Sequence, residues 1–317
     1  MTDSTAETTS PPPDDAALTP TGAPTVGFVG LGRMGGPMVG CLLRSGRPVV
    51  AYDIDPRRSA EAADAGAECA NSPAEVAARS AVSLTMVMND RVLREVALSP
   101  DGILAGARPG HLFCDLSTVS PQVSADIATA AAGLGVRYVR AKVAGSTGLA
   151  AEGQLTVFAS GAQDDVDAVS PVLAAFAREV RFVGPGEAAH YLKLAHSIVV
   201  GAYAALIGEA VTFAAQGGVD YDTVIEVLEA GPLGSRQLSL KAPMLRDRTF
   251  GDPPSDVDTA AKDLDLALDA AVRVGTVTPF AATARQLMTS RQAHGEGKLD
   301  IWSVIRSLEA LAAVERD

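Results

Sequence analysis

The amino-acid sequence predicts an α/β protein in which a doubly wound parallel sheet is followed by an all-α C-terminal domain. From Thr25 onward, short apolar runs rich in β-branched residues alternate with alanine-rich stretches. Such alternation is typical of parallel strands covered by helices on both faces. After Gly186 the alternation stops, and residues 187–216 form one long, mostly apolar stretch that favours a helix joining two domains. We therefore predict a sheet domain at 24–186 and a helical domain at 187–317.

The strands and several helix ends can be assigned in order. Helices are expected to start at Ser72-Pro73 and Ser120-Pro121, because a capping hydroxyl followed by proline is typical of a helix N-terminus. Gly217-Gly218 and Gly231-Pro232 are expected to end two helices of the second domain. No strand is needed beyond about Val183. The predicted strands are Thr25–Val29, Pro48–Tyr52, Val82–Met88, His111–Asp115 and Val136–Val143.

Composition narrows the possible functions. The chain has 317 residues, of which 47% are hydrophobic and 20% charged, which is ordinary for a soluble globular protein of two domains. A net charge of -12 argues against nucleic-acid binding, which requires a basic face. The longest apolar run, Ile198–Ile207, contains Gly201 and is shorter than a membrane span. The sequence therefore predicts a cytoplasmic protein that binds neither nucleic acid nor membrane.

Two further features exclude particular kinds of structure. Residues 1–23 are rich in Ser, Thr, Pro and Asp and lack a basic or apolar core, so we expect a disordered tail rather than a secretory signal. The three cysteines, Cys41, Cys69 and Cys114, are far apart in sequence. Their odd number and wide spacing argue against a disulfide framework or a metal cluster. We expect buried, reduced thiols and no metal.

A glycine motif follows the first predicted strand. Gly30, Gly32 and Gly35 form a GxGxxG pattern between that strand and a helix predicted from Met34 to about Arg44. This context is that of a Rossmann dinucleotide-binding turn, in which the backbone approaches the pyrophosphate and the helix N-terminus faces it. The motif therefore predicts NAD or NADP as cofactor, bound by Gly30, Gly32, Arg33, Met34 and Gly35.

An acidic residue ends the second predicted strand. Asp53 lies about twenty residues beyond the glycine motif, where an acid accepts hydrogen bonds from the adenosine ribose hydroxyls and repels a 2′-phosphate. NAD is therefore favoured, although Arg57 and Arg58 lie just beyond and leave NADP open. The alternative for Asp53 is a solvated turn residue. Met88 and Asn89, at the end of the strand predicted at Val82–Met88, are also predicted to bind the cofactor.

The glycine segment Gly27–Met38 (GFVGLGRMGGPM) and four later motifs occur in the order typical of one family. The later motifs are Asp115–Pro121 (DLSTVSP), Lys193–Ser197 (KLAHS), Lys262–Leu264 (KDL) and Gly295–Asp300 (GEGKLD). Together they resemble the β-hydroxyacid dehydrogenase family, which includes 3-hydroxyisobutyrate dehydrogenases and is related to 6-phosphogluconate dehydrogenase. The resemblance implies a Rossmann domain of six or more strands, a long interdomain helix, and a homodimer or homotetramer assembled through the helical domains.

The resemblance implies that Lys193 is the catalytic acid/base. A lysine in this apolar helix is desolvated, which lowers its pKa toward the range needed for proton exchange. The alternative is a lysine that extends to the surface. Ser197 lies one turn further and is expected to contact substrate, although the family usually has asparagine there, so that support is in doubt. His196 is either a counterpart of a family histidine or a packing residue.

Three other residues are expected at the site. Ser117 and Thr118 follow a strand at the carboxyl edge of the sheet, where ligands bind in this fold. We expect Ser117 to contact substrate or nicotinamide and Thr118 to contact cofactor. Lys262 is expected to reach the cofactor or the substrate carboxylate. Its alternative is an exposed helical ion pair with Asp265 or Asp258.

The segment Arg140–Ser146 (RAKVAGS) departs from the family pattern DAPVSGG, whose serine and glycine amides bind the substrate carboxylate. Gly145 is kept, Ala144 lacks the hydroxyl, and Ser146 is placed to supply it, so Gly145 and Ser146 are predicted to bind substrate. Arg140 and Lys142 add positive charge. Either the substrate has a second anionic group, or these residues reflect surface drift.

These residues predict an oxidoreductase that transfers a hydride between nicotinamide and a small 3-hydroxy acid or its semialdehyde. One alternative is a reductase of imines or of carbonyls without a carboxylate, suggested by the altered segment that contains Ala144. A second alternative is a cofactor-binding regulatory protein without turnover, suggested by the loss of polar groups at Ala144 and Ser197.

Overall fold

The computed structural model describes residues 22–251 and 253–313, so residues 1–21 of the expected disordered tail lie outside the described part. The N-terminal half forms one sheet. Its strands are β1 (Val26–Val29), β2 (Val49–Tyr52), β3 (Glu68–Cys69), β4 (Val82–Thr85), β5 (Leu112–Asp115), β6 (Arg137–Ala144), β7 (Leu155–Ser160) and β8 (Ala177–Phe182).

Helices alternate with the strands and then continue alone. Those of the first half are α1 (Gly35–Arg44), α2 (Pro56–Asp64), α3 (Pro73–Ala78), α4 (Asp90–Leu98), α5 (Ile103–Gly106), α6 (Pro121–Gly133), α7 (Thr147–Ala151) and α8 (Gln163–Leu173). Those of the second half are α9 (Ala188–Gln216), α10 (Tyr221–Ala230), α11 (Arg236–Asp247), α12 (Val257–Val274), α13 (Pro279–Ala293), a 3₁₀ turn (Ile301–Val304) and α14 (Ile305–Leu311).

The sheet has the order β3-β2-β1-β4-β5-β6-β7-β8 and confirms the doubly wound Rossmann prediction. From β1 the chain proceeds outward to β2 and β3, then crosses back to β4 on the other side of β1. The reversal places a crevice at the carboxyl ends of β1 and β4, where ligands bind in such sheets. The domain boundary near residue 186 stays a prediction, and it falls between β8 and α9.

One strand pair differs from the parallel sheet that the sequence predicted. β6 and β7 are antiparallel, with Val143 opposite Val157. The connection between them, residues 145–154, contains only the short helix α7. A parallel crossover needs about a dozen residues or more, so this short connection returns the chain in the opposite direction. As a result, the start of β7 lies beside the end of β6.

The predicted helix starts are confirmed. The Ser72 hydroxyl accepts a hydrogen bond from the Glu75 amide at 3.1 Å, and the Ser120 hydroxyl accepts one from the Val123 amide at 3.2 Å. The long helix α9 ends at Gln216, directly before the two glycines expected to stop it. The strand predicted at Val82–Met88 is shorter than expected, because the chain leaves the sheet after Thr85. Thr85 pairs with Asp115, which is the last residue of β5.

The two halves have separate apolar cores. Alternating strand residues divide the sheet between its faces, with Phe28 and Leu84 on one side and Phe113 and Tyr138 on the other. The helical half packs around α9, with Trp302 among its largest fully buried side chains. Helix α9 also contacts β6 and β7, so one element links the helical core to the sheet.

Two expectations about exposure need correction. Cys69 is exposed rather than buried, because it lies on the two-residue edge strand β3. Helix α9 is long and apolar enough to cross a membrane by length and composition, with a mean hydropathy of 1.8, although the sequence suggested no such segment. Gly201 does not interrupt the helix, and it allows a close approach of α12, since a Cβ added there would lie 3.0 Å from the Leu264 side chain. Core helices of soluble proteins pass the same test, so this is weak evidence for a span.

Candidate active site

The glycine turn at the end of β1 has the conformation that the motif predicts. Gly30 has a φ of +95°, and a Cβ added to it would lie 2.4 Å from the Met86 carbonyl oxygen. A Cβ on Gly35 would lie 1.9 Å from the Gly30 carbonyl oxygen. Side chains at these two positions would separate β1, α1 and the loop after β4. The glycines therefore permit the close approach that a dinucleotide turn needs.

The start of α1 offers free backbone donors. Met34 precedes the helix, and no side chain caps it. Within residues 22–251 and 253–313, the amides of Gly32, Arg33 and Met34 donate to no acceptor. Unpaired amides at a helix N-terminus are a site for an anion such as a diphosphate. The residues present therefore fit a dinucleotide cofactor.

Asp53 lies at the end of β2, beside this turn. Its carboxylate accepts hydrogen bonds from the Leu31 amide at 2.6 Å and from the Asp55 amide at 2.8 Å. The Arg58 guanidinium lies 3.7 Å from the carboxylate and close to Gly32. The acid is thus fixed against the glycine turn rather than free in solvent, and Arg58 is the nearest cation to it.

A cleft of about 260 Å³ lies between the sheet edge and the helical half, with Asn89 and Lys262 in its wall. The Lys262 ammonium donates to the Thr118 carbonyl at 2.9 Å and lies 2.9 Å from an Asp263 oxygen. The alternative of a helical ion pair with Asp265 or Asp258 is therefore wrong. The structure instead brings Lys262, Thr118 and Asn89, three predicted cofactor residues, to one place.

Two predicted cofactor residues have other surroundings, and Asn89 also has a structural role. The Arg33 side chain donates to the Pro253 carbonyl and so reaches across to the loop before α12. Met88 is 70% exposed. The Asn89 side-chain oxygen caps α4 by accepting from the Val92 amide at 3.0 Å.

Lys193 faces the end of β6. Its ammonium donates to the Val143 carbonyl at 3.0 Å, one residue before Ala144 and two before Gly145. Burial lowers the pKa of Lys193, with Lys262 and Lys142 adding to the effect and Asp263 opposing it. The predicted acid/base therefore lies beside the segment 140–146 that was predicted to bind substrate (the substrate segment). The lysine's environment favours loss of its proton.

The neighbours of Lys193 on α9 have distinct surroundings. The Ser197 hydroxyl donates to an Asp263 carboxylate oxygen at 3.2 Å, so it is held by α12 rather than by the lysine. His196 is exposed, so it is not a core packing residue. Asp263 lies between Ser197 and Lys262 and raises the pKa of Lys193. This carboxylate therefore interacts electrostatically with both Lys193 and Lys262.

The substrate segment ends β6 in a tight turn. Gly145 has a φ of +142° and is exposed, and a Cβ added there would lie 2.6 Å from Leu155. Ser146 caps α7 by accepting from the Leu149 amide at 3.3 Å. The glycine is therefore required by the backbone. The Ser146 hydroxyl, expected to bind substrate, is already occupied as an acceptor but keeps its own proton to donate.

Ser117 is fully buried, although we expected it to contact substrate or nicotinamide. Its hydroxyl accepts from the Val87 amide at 2.9 Å, and its own amide donates to Asp115 at 3.0 Å. Ser117 thus joins the loop after β4 to the end of β5. The neighbouring Thr118 provides the carbonyl that meets Lys262.

Lys142 forms a fully buried ion pair with Asp115, at 2.5 Å between ammonium and carboxylate. The ammonium also donates to the Ser117 carbonyl at 2.6 Å. Burial alone would raise the pKa of Asp115, but Lys142 outweighs it and holds that pKa below its ordinary value. The idea of surface drift at Lys142 is therefore wrong. Its charge is also neutralised and does not face a substrate.

Arg140 is likewise buried and paired, in this case with Glu187. Glu187 also lies 2.9 Å from His190, which burial keeps neutral by lowering its pKa to about 4. The hypothesis that Arg140 and Lys142 bind a second anionic group is thus not supported by the geometry. Both residues instead hold β6 to β5 and to the start of α9.

No sequence pattern predicted the partners of Lys142, Lys193 and Lys262. Asp115 and Asp263 were recognised only as parts of motifs, and their contacts join residues far apart in sequence. One signal was available, because a lysine and an arginine two residues apart in a buried strand each require a partner. The Val143 carbonyl that holds Lys193 had no signal in the sequence.

Comparison with known proteins agrees with this geometry. Residues 25–184 match the model of the NAD binding domain of 6-phosphogluconate dehydrogenase. Residues 187–308 match a second family model, described as NAD-binding of NADP-dependent 3-hydroxyisobutyrate dehydrogenase. The chain belongs to the 3-hydroxyisobutyrate dehydrogenase family.

Three relatives illustrate the relationship. A probable 3-hydroxyisobutyrate dehydrogenase-like 1, mitochondrial, from Arabidopsis thaliana is 32% identical over 90% of this chain and 85% of its own. The 2-(hydroxymethyl)glutarate dehydrogenase of Eubacterium barkeri is 30% identical over 91% of this chain and 96% of its own. The structure of Mycobacterium tuberculosis 3-hydroxyisobutyrate dehydrogenase with L-serine superimposes with a TM-score of 0.83 at 26% identity, covering 90% of this chain and 99% of that one.

Membership of the family confirms several predictions. The chain is an NAD(P)-dependent oxidoreductase that acts on a CH–OH group of a small molecule. The Rossmann half and the helical half are those expected of 3-hydroxyisobutyrate dehydrogenases. The substrate and the roles of individual residues stay predictions.

Proposed function

We propose that this enzyme interconverts a small 3-hydroxy acid and its semialdehyde, with Lys193 as the general acid/base. The position of Lys193 supports this most directly. Its ammonium lies 3.0 Å from the Val143 carbonyl, beside Gly145, and its pKa is lowered by burial. A group held at the substrate segment with a lowered pKa can exchange a proton near neutral pH.

In the oxidation direction, neutral Lys193 accepts the proton of the substrate hydroxyl as the C–H bond breaks. NAD(P), when bound, takes up the hydride from that carbon. In the reduction direction, the protonated lysine donates to the carbonyl oxygen. Lys262 and Lys142 repel positive charge on Lys193, whereas Asp263 favours it, so these neighbours together set its proton affinity.

The substrate carboxylate is bound by the turn that ends β6. The exposed backbone of Gly145 approaches the site without a side chain, and the Ser146 hydroxyl supplies a donor. Charge-assisted hydrogen bonds of this kind orient a carboxylate firmly. They would place the 3-hydroxyl group toward Lys193, whose ammonium is held by the Val143 carbonyl, two residues before Gly145.

NAD is the preferred cofactor in this proposal. Asp53 is fixed at the end of β2 against the glycine turn, where its negative charge opposes a 2′-phosphate. Arg58 lies 3.7 Å away and offsets part of that charge. The enzyme is therefore expected to use NADP more weakly rather than to reject it.

The experiment is a survey of cofactor reduction at 340 nm with purified enzyme. Each cofactor is combined with 3-hydroxyisobutyrate, 3-hydroxypropionate and 2-(hydroxymethyl)glutarate, and the reverse reaction is followed with the matching semialdehydes. We expect turnover of at least one 3-hydroxy acid, faster with NAD. Turnover only of imines, or only of carbonyls without a carboxylate, would contradict the proposal.

A further inference from the structure

A second cavity, of about 230 Å³, opens beside the substrate segment. It begins at Ala144, the last residue of β6, and extends past Thr156 of β7 to Arg178 of β8. Because β7 runs antiparallel to β6, these three residues lie at the same edge of the sheet. Arg236 of α11 lines the cavity from the helical half. The cavity thus lies between the two halves, away from the glycine turn.

The cavity contains charges without partners. Within the described residues, neither Arg178 nor Arg236 forms a hydrogen bond or an ion pair through its side chain. Other arginines nearby are paired, such as Arg181 with Glu179. Glu152 is the one carboxylate in the wall. Two guanidinium groups facing one carboxylate leave the cavity with a net positive charge.

The position of Arg236 strengthens that charge. It is the first residue of α11, directly after Ser235, whose hydroxyl caps the helix by accepting from the Leu238 amide at 3.0 Å. The positive end of the helix dipole therefore lies at the residue that carries this guanidinium. An arginine side chain can bind both oxygens of a carboxylate, which makes it the usual residue for recognising that group.

The cavity reaches the substrate segment, which also holds Lys193. Ala144 lines it, the preceding carbonyl of Val143 holds Lys193, and the following residue is Gly145. A substrate whose first carboxylate lies at Gly145 and Ser146 can therefore extend a second group past Ala144 into the cavity. A volume of about 230 Å³ far exceeds the roughly 10–15 Å³ that such a cavity needs to hold one water molecule, so the cavity can also hold a carboxylate group.

We propose that this cavity is a subsite for a second carboxylate, and that the enzyme prefers 3-hydroxy acids that carry one. Arg178 and Arg236 bind that carboxylate, and Glu152 weakens its binding. This inference rests on the proposed 3-hydroxy acid dehydrogenase function. Arg140 and Lys142, which the sequence suggested for binding a second anionic group, are buried and neutralised. The two cavity arginines, whose charges are free, take that role instead.

The test compares substrates that differ only in the second carboxylate. The monocarboxylate is 2-(hydroxymethyl)butanoate. The dicarboxylates are 2-(hydroxymethyl)succinate and the one-carbon-longer 2-(hydroxymethyl)glutarate. The measured quantity is the ratio of kcat/KM for the better dicarboxylate to that for the monocarboxylate. Hydrogen bonds to charged groups contribute about 1.5–3 kcal/mol, so we expect Arg178→Gln and Arg236→Gln each to lower this ratio at least about tenfold.

Two further variants sharpen the result. Glu152→Gln should raise the ratio, because it removes the repelling charge. Arg181→Gln, on the same strand as Arg178 but paired with Glu179, should leave it unchanged. Ratios near one for the wild type, or ratios unaffected by either cavity arginine, would overturn the subsite while leaving the dehydrogenase function intact.

A binding measurement separates this inference from the proposed function. If the wild type oxidises none of the three acids, calorimetric titration with 2-methylsuccinate and 2-methylbutanoate tests the cavity by itself. Binding of the dicarboxylate that is lost in Arg178→Gln and Arg236→Gln supports the subsite even though the function has failed. Absence of that binding in the wild type overturns the subsite.

Discussion

At the scale of single residues, Asp53 is expected to set the cofactor preference. Asp53→Asn keeps an oxygen that can accept from the Leu31 amide but removes the negative charge. We expect the ratio of kcat/KM for NAD to that for NADP to fall at least about tenfold, a change of about 1.4 kcal/mol. Steady-state kinetics with both cofactors measure it. The matched variant Asp64→Asn, at the end of α2, should leave the ratio unchanged.

Two buried histidines should make stability depend on pH. Burial lowers the pKa of both His111 and His190 to about 4, against about 6.5 when unfolded. The unfolded state therefore binds more protons between these values, so the free energy of unfolding should fall as pH drops from about 6.5 toward 4. Each histidine contributes a slope of up to about 1.4 kcal/mol per pH unit.

Chemical denaturation between pH 6.5 and 5 measures this slope. His111→Gln should lower this slope by up to about 1.4 kcal/mol per pH unit, because glutamine does not titrate. His294→Gln, at an exposed position, is the matched control and should leave the slope unchanged. Glu187 has its pKa lowered to about 2, so its own contribution is lost only below about pH 4.5. An identical slope in the wild type and in His111→Gln would contradict the account.

At the scale of secondary-structure elements, the buried pair of Lys142 and Asp115 joins β6 to β5. Lys142→Met leaves the carboxylate buried without its cation, which typically costs about 3–5 kcal/mol in the free energy of unfolding. Adding Asp115→Asn removes the uncompensated charge and should recover much of that loss. Urea denaturation of the single and double variants measures the difference.

The control for this pair is Lys298→Met, whose side chain is 79% exposed beside Asp258. We expect a loss of less than about 1 kcal/mol there, as for other surface pairs. If Lys142→Met were no more destabilising than Lys298→Met, the buried pair would not stabilise the sheet as described.

The secondary-structure elements differ in how well local sequence patterns predicted them. The glycine turn, the capped helices and α9 followed local rules, so the sequence predicted them closely. The antiparallel pairing of β7 depended on the length of one connection, and the pairing of Lys142 with Asp115 depended on two strands meeting. Contacts of this second kind join distant residues, so no local pattern contained them. The cavity lined by Arg178 and Arg236 was missed for the same reason.

At the scale of the whole molecule, α9 presents an apolar stripe to solvent. Leu192, Val199, Leu206 and Phe213 recur every seven residues and are exposed, Phe213 by 81%. Residues at this spacing share one side of a helix. The stripe is consistent with a homodimer or homotetramer in which α9 meets a second copy, as an apolar helix face is stable when covered.

The predicted assembly can be tested with one substitution. Phe213→Glu places a charge in the stripe, so we expect the mass measured by light scattering to shift from that of an oligomer to that of a 32.4 kDa monomer. Val272→Glu, on α12 and also 81% exposed, is the matched control and should not change the mass. A monomeric wild type, or an oligomer unaffected by Phe213→Glu, would contradict this arrangement.

The most direct test of the whole account is the rate of hydride transfer in Lys193→Met. This substitution keeps most of the side-chain volume and removes the ammonium next to the Val143 carbonyl. A single turnover followed at 340 nm should slow by at least about 100-fold, the usual contribution of a general acid/base, with cofactor affinity unchanged. A rate close to that of the wild type, with the same cofactor affinity, would show that Lys193 is not the acid/base.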